Sequence, residues 1–170
     1  VWVNGNAKYD LLAQKADDNV RIQMKQLFHV TSDEQPFWVA GSTRHNEEEL
    51  LADVYEKLLR DYPDMVLIVA PRHIERAPKI LRMFRERRFS CQLRSAIADP
   101  EERRSHPVVV VDTMGELQRI YSIATVVFCG GSLVNRGGQN PLEAAVWGCP
   151  VLHGPSMEDF DDARDILKQA

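Results

Sequence analysis

The chain has few cysteines, no long apolar run and no excess of basic residues. Its three cysteines, Cys91, Cys129 and Cys149, are widely spaced among 170 residues. They form no Cys-x-x-Cys pair, so neither a disulfide framework nor a zinc site is expected, and a reducing compartment fits. No apolar run is long enough to cross a bilayer, and no signal peptide is visible. The net charge of −4 argues against a dedicated nucleic-acid binder.

Several catalytic and ligand-binding motifs are also missing. No Gly-x-Gly-x-x-Gly follows the first strand and no Walker A sequence occurs, so a dinucleotide site and a P-loop are poorly supported. Ser132 lacks the Gly-x-Ser-x-Gly elbow of serine hydrolases. No His, Cys or Asp group has metal-ligand spacing. We therefore expect no metal and no cofactor.

What the chain does contain is an alternation of strand-like and helix-like segments. Its 44% apolar and 27% charged residues are typical of one soluble globular domain. Strands are predicted at 37–40, 65–70, 91–93, 107–111, 126–129 and 149–152. Helices are predicted between them, including 17–28, 46–60 and 161–168. This order predicts an α/β fold, a Rossmann-like parallel sheet with helices on both faces.

The stretch from Phe128 to Gly148 is predicted to be a buried strand, a glycine-rich loop and the start of a helix. Asn140 and Pro141 suit the N-cap and the first helical position. A helix entrance presents free N–H groups that suit a phosphate. Glu143 adds a carboxylate that can accept hydrogen bonds from sugar hydroxyls. Together these residues indicate a nucleotide ribose-phosphate site.

In a parallel sheet, the loops that follow the strands meet at one edge, where ligands bind. These loops are 41–43, 71–73, 113–116, 130–132 and 154–156. Arg72 is a permanent cation at a strand end, suited to phosphate, although an ion pair with Glu75 is an alternative role. Glu116 either contacts the ligand or complements the start of a short helix. The run Glu47-Glu48-Glu49 is predicted to be a solvated, dipole-complementing first helical turn.

Five motifs in this order resemble the C-terminal half of bacterial 3-deoxy-D-manno-octulosonic acid (Kdo) transferases. They are Val39-Ala-Gly-Ser-Thr43, Pro71-Arg-His73 with Glu75-Arg76, Asp112-Thr-Met-Gly-Glu-Leu117, Gly130-Gly-Ser-Leu-Val134 and Gly137-Gly-Gln-Asn-Pro-Leu-Glu143. The segment Gly5-Asn-Ala-Lys-Tyr-Asp10 is similar to the family's junction between its two halves. The resemblance covers nearly the whole chain, and the ordered set is specific although each motif alone is weak.

The resemblance implies half of a GT-B glycosyltransferase that holds the donor CMP-Kdo. The family transfers Kdo to a lipid A precursor with inversion, without a metal at the reaction centre. The implied CMP contacts are Pro71, Arg72, Met114, Gly115, Glu116, Asn140, Pro141, Leu142 and Glu143. Additional implied donor contacts are Ser42, Gly131, Ser132 and Gln139.

Two positions depart from the family pattern. Gln139 stands where the family has His, and Gln cannot carry a proton or a positive charge at neutral pH. Arg44 stands where the family has another His, so no role is carried over to His45. Gln139 therefore cannot supply the positive charge that the family's His would place beside the donor.

The resemblance also implies that the chain is a piece of a longer protein. Residues 1–170 would be one donor-binding domain, with 1–36 as junction and brace helix and 37–170 as core. For the helix itself, simple packing is the favoured alternative to a brace. The catalytic base and the acceptor-binding parts belong to the family's N-terminal domain. We expect a soluble piece that does not transfer Kdo alone, from an enzyme at the cytoplasmic face of the bacterial inner membrane.

Two alternatives from other functional classes remain open. UDP-sugar 2-epimerases share the GT-B architecture, and a preference for UDP would distinguish them. A non-catalytic nucleotide-sensing or interaction module is the second alternative. A fully apolar pocket without electropositive space for a phosphate would favour it.

Overall fold

Six parallel strands form one sheet in the computed structural model of the chain, which describes residues 16–97 and 103–169. The strands are β1 (Phe37–Thr43), β2 (Val66–Pro71), β3 (Cys91–Leu93), β4 (Val108–Val110), β5 (Val126–Cys129) and β6 (Val151–His153). Their order across the sheet is β3-β4-β2-β1-β5-β6, with every pairing parallel. The predicted Rossmann-like α/β fold is confirmed.

Helices cover both faces of this sheet. They are α1 (Asp18–Leu27), α2 (Glu47–Leu58), α3 (Ala77–Glu86), α4 (Leu117–Ile120), α5 (Leu142–Ala145) and α6 (Asp161–Gln169). In β1, Phe37 and Val39 pack in one core with residues of α1, α4 and α5. Trp38 and Ala40 face the other way, into a core with α2 and α3. Burial on both faces explains why the strands are continuous apolar runs.

Strand β1 extends three residues beyond its predicted end at Ala40. Gly41 and Thr43 pair with β2, and the register shifts between them at Ser42, which has a φ of 55°. Gly41 has no room for a side chain, because an added Cβ would lie 1.9 Å from the Tyr121 hydroxyl oxygen. The predicted loop 41–43 is therefore the bulged end of the central strand.

The prediction of a solvated first turn in α2 is wrong for two of its three glutamates. Glu47 is 0% exposed and Glu48 is 3% exposed, whereas Glu49 is exposed. A buried carboxylate needs hydrogen-bond donors or a cation to offset its lost hydration. Both glutamates have such partners at the carboxyl edge of the sheet.

Some predictions concern residues outside the described ranges. They are a short strand that the sequence predicts at Val1–Val3, a predicted turn at Asn4–Asn6, the family-like segment Gly5–Asp10 and part of a predicted polar loop at 98–106. Within 16–97 and 103–169, no helix has the length and apolar character needed to cross a membrane.

Candidate functional site

The loops at the carboxyl ends of the strands are joined by direct hydrogen bonds. The Arg72 N–H, after β2, donates to the Thr43 carbonyl at the end of β1 at 3.0 Å. The Gly130 N–H, after β5, donates to the Gly41 carbonyl at 2.8 Å. The Gly154 N–H, after β6, donates to the Ser132 hydroxyl at 2.8 Å. These bonds hold the predicted site loops at one edge of the sheet.

The glycine-rich loop after β5 is filled by the protein's own carboxylate. Glu47 accepts hydrogen bonds from the backbone N–H groups of Gly131 at 2.8 Å, Ser132 at 3.1 Å and Leu133 at 3.0 Å. The Arg44 N–H donates to the same carboxylate at 2.7 Å. Successive N–H groups in such a turn form an anion-binding concavity. Here the bound anion is Glu47, so these N–H groups are not free for a donor phosphate.

Ser132 is engaged within the protein in the same way. Its side chain is 0% exposed, and its hydroxyl donates to the Cys129 carbonyl while accepting the Gly154 N–H. In this structure, Gly131 and Ser132 therefore have no free N–H or hydroxyl group with which to make their predicted donor contacts. Van der Waals contact with a ligand remains a prediction for both residues.

Glu48, the second buried glutamate, is paired with an arginine. Its two oxygens accept the two Arg76 terminal nitrogens, each at 2.9 Å, and the Thr43 hydroxyl donates to it at 2.7 Å. A bidentate pair of this kind fixes geometry as well as charge. It ties the end of β1 to the short 3₁₀ turn that precedes α3.

The entrance of α5 is open, unlike the loop after β5. The Asn140 side-chain oxygen accepts the Leu142 N–H at 3.1 Å, but the helix begins one residue later than predicted, with the buried Pro141 at its N-cap and Leu142 as its first residue. Glu143 is half-buried, and its carboxylate has no hydrogen bond or ion pair with any residue that the structure describes. It is therefore free to accept hydrogen bonds from a ligand.

Glu143 also acts electrostatically on the core beneath it. Burial chiefly raises the pKa of the Cys129 thiol to about 11, and the negative charges of Glu47 and Glu143 contribute to that rise. The pKa of Tyr121 is raised mainly by burial, with Glu143 again a minor cause. Both groups are thus held neutral beside the open carboxylate.

The loop after β4 places Glu116 in a defined position. Its carboxylate accepts Arg94 at 2.7 Å and the Thr113 hydroxyl, with side-chain exposures of 22% for Glu116 and 11% for Arg94. The sequence predicts a solvated face for Arg94 and the arginines near it, but the Arg94 side chain is largely buried and pairs with Glu116. Nothing in the local sequence pattern links Arg94 to a carboxylate 22 residues later. Its role was therefore missed.

Other predicted site residues are exposed or folded back on the loops. Arg72 is exposed, and its guanidinium has no partner among the described residues; Glu75, its proposed ion-pair partner, lies 3.8 Å from His73 instead. Met114 is 81% exposed beside Gly115, which has a φ of 79°. The Gln139 amide donates to the adjacent Gly138 carbonyl at 2.7 Å, so it points along its own loop.

A cavity of about 320 Å³ lies at the opposite end of the sheet. Its lining includes Phe37 at the start of β1 and Cys149 just before β6. Arg21 lies over the Trp147 ring at 5.9 Å and donates to the Trp147 carbonyl, which closes one side. None of the predicted site residues lines this cavity, so it is separate from the carboxyl-edge site.

Comparison with known proteins gives several relatives that are named as 3-deoxy-D-manno-octulosonic acid transferases, and one that is named as a bifunctional glycosyltransferase/methyltransferase. No family model matches. The Haemophilus influenzae 3-deoxy-D-manno-octulosonic acid transferase is 34% identical over 165 residues, 97% of this chain and 38% of the relative. That of Aquifex aeolicus is 32% identical over 133 residues, 78% of this chain and 36% of the relative. The chain thus spans less than two fifths of these relatives.

The chain also has the fold of a solved structure. The C-terminal CMP-Kdo binding domain of WaaA from Acinetobacter baumannii matches with a TM-score of 0.77 and 28% identity. The match covers 90% of this chain and 79% of that domain. The recognition made from the five motifs is therefore confirmed: this chain is a homologue of the Kdo transferases, similar to their C-terminal, donor-side domain.

Proposed function

We propose that this chain is the donor-binding part of an inverting glycosyltransferase, which moves Kdo from CMP-Kdo to a lipid A precursor in lipopolysaccharide biosynthesis. The observation that carries the proposal is the unpaired Glu143 carboxylate at the entrance of α5. It lies at the same sheet edge as the unpaired guanidinium of Arg72. A free carboxylate for hydroxyls and a free cation for phosphate are the two groups that a nucleotide needs.

Each group has a distinct part in holding CMP. Arg72 pairs with the phosphate, and Glu143 accepts the ribose hydroxyls. Met114 offers an apolar side chain, 81% exposed, to cover the base. Glu116 is held by Arg94 and the Thr113 hydroxyl, and each of its oxygens can accept one more hydrogen bond, from the nucleotide. Pro141 and Leu142, like Pro71 and Gly115, shape the backbone around these contacts.

This part of the enzyme binds and orients the donor, whereas proton removal from the acceptor belongs to the N-terminal domain of the parent protein. We therefore expect this chain to bind CMP but not to transfer Kdo. The parent enzyme would act at the cytoplasmic face of the bacterial inner membrane, where it meets the lipid A precursor. Residues 1–36 would form the junction to the N-terminal domain.

Titration calorimetry with CMP, UMP and AMP tests the proposal. We expect CMP to bind most tightly and Arg72→Gln to weaken CMP about 10-fold, the effect of losing one charge-assisted contact. Arg82→Gln is the matched control, since Arg82 is an exposed arginine of α3 away from these loops. The absence of any CMP preference at millimolar concentrations would contradict the donor assignment. A preference for UMP would instead favour the UDP-sugar alternative.

A further inference from the structure

A basic cleft opens beside the proposed nucleotide site, on the side of α2 and α3. Its volume is about 440 Å³, and five of its seven lining residues are basic. These five, here called the basic cleft, are Arg44, His45, His73, Arg76 and Arg136. Asn46 and Val134 complete the lining, which contains no carboxylate. The size suits a small polar ligand.

The charge of the basic cleft is not neutralised from within. Arg76 is offset by its bidentate pair with the buried Glu48. The guanidinium groups of Arg44 and Arg136 have no hydrogen-bond or ion-pair partner in the described part of the chain. The Nε atom of Arg44 is also fully buried without a partner. An unsatisfied buried donor is unfavourable, and an anionic ligand bound by the same guanidinium offsets part of that cost.

Both free arginines are held in place by the site loops. The Arg44 backbone is fixed by its bond to Glu47, and its side chain lies along Gly131, where an added Cβ would be 3.4 Å from Nε. The Arg136 N–H donates to the Ser156 hydroxyl at 3.2 Å. The two cations thus come from loops that Glu47 and Ser156 already order.

We propose that the basic cleft is an oxyanion subsite, in which Arg44 and Arg136 bind a carboxylate or phosphate group. His73 lines the cleft and directly follows Arg72, so the cleft adjoins the phosphate end of the proposed CMP site. Two sources share this ligand chemistry: the acid group of the donor sugar, and a phosphate on the acceptor. The identity of the bound group rests on the proposed function, whereas the affinity of the basic cleft for an oxyanion does not.

Free Kdo and inorganic phosphate are the two probes for this subsite. Each is titrated into the ¹⁵N-labelled chain, with and without saturating CMP, and backbone amide shifts are followed. We expect Arg44→Gln and Arg136→Gln each to weaken oxyanion binding about 10-fold, as loss of a charged hydrogen bond does. Arg82→Gln removes the same charge elsewhere and should leave binding within about twofold. Arg44→Lys should restore part of the affinity while keeping the charge.

The outcomes separate the two sources and the two proposals. Binding of Kdo that depends on both arginines assigns the cleft to the donor's acid group. Arginine-dependent binding of phosphate alone assigns it to a phosphorylated acceptor. Binding of neither probe, or binding unchanged in Arg44→Gln and Arg136→Gln, overturns the subsite. If an oxyanion binds but CMP does not, the subsite stands and the proposed function fails.

Discussion

The loop after β5 and the entrance of α5 differ in how their backbone turns are completed. Both lie at the carboxyl edge of the sheet, and both present N–H groups of the kind that bind anions. In the loop, the backbone N–H groups of Gly131, Ser132 and Leu133 donate hydrogen bonds to the buried Glu47 carboxylate. The entrance of α5 satisfies one N–H with Asn140 and leaves Glu143 unpaired. One region is complete as folded, and the other retains binding capacity.

This difference separates a structural anion site from the proposed ligand site. A glycine-rich turn shows only that an anion fits against the backbone. Whether that anion is a ligand depends on whether the protein supplies its own carboxylate. In this chain the carboxylate comes from α2, and it locks the loop to the end of β1.

The largest expected effect is on the internal anion. Glu47→Ala leaves four backbone N–H groups without their acceptor, so we expect the free energy of unfolding to fall by about 3–5 kcal/mol. Urea denaturation measures the loss. Glu49→Ala, in the same turn but exposed, should change stability by less than about 0.5 kcal/mol. Equal effects of the two substitutions would show that Glu47 does not hold the loop.

A smaller effect, on binding rather than folding, is expected at the open entrance. Glu143→Ala should weaken CMP about 10-fold, because the ribose hydroxyls lose a charged acceptor. The free energy of unfolding of Glu143→Ala should change by less than about 0.5 kcal/mol, since the Glu143 carboxylate has no hydrogen-bond or ion-pair partner among the described residues. The affinity of 2′,3′-dideoxy-CMP provides the specific test. This nucleotide lacks the ribose hydroxyls, so its affinity should not depend on Glu143. An equal loss for both nucleotides would contradict the assignment of Glu143 to the ribose.

The smallest expected effect concerns pH. Because burial raises the pKa of Cys129 to about 11, the folded state keeps the thiol protonated where the unfolded chain, with a pKa of about 8.5, ionises it. This contribution to stability is complete below about pH 8.5 and is lost as pH rises toward about 11. The free energies of unfolding, measured by urea denaturation at about pH 8 and 9.5, should differ by about 1 kcal/mol less in Cys129→Ala than in the unchanged chain. An identical pH dependence would show that Cys129 is not the titrating group.

The sequence was sufficient to predict the parallel sheet and the positions of most site loops. Runs such as Val126–Cys129 are apolar on every residue because they are covered on both faces, so length and flanking glycines identified them. The hydrogen bond between the Asn140 side chain and the Leu142 N–H joins residues only two positions apart. It was predictable because such local bonds depend on the neighbouring residues alone.

The partners of the charged residues could not be predicted from the sequence. A glutamate in a first helical turn has the same pattern whether it faces water or a loop 84 residues later, as Glu47 does. Arg94 likewise resembles its exposed neighbours until the fold brings it to Glu116. Long-range pairing decides burial in both cases, and single-sequence periodicity carries no information about it.

The central position of β1 has a consequence for how the chain acquires its structure. One edge of β1 pairs with β2 soon after synthesis, but the other edge must wait for β5. The Phe37 N–H at the start of β1 finds its acceptor on Thr125, 88 residues later. Until then a flat apolar edge is exposed to neighbouring chains, and closing so long a loop is slow. Strand β1 is therefore the first strand of the sheet to be synthesised and among the last to be paired along both of its edges.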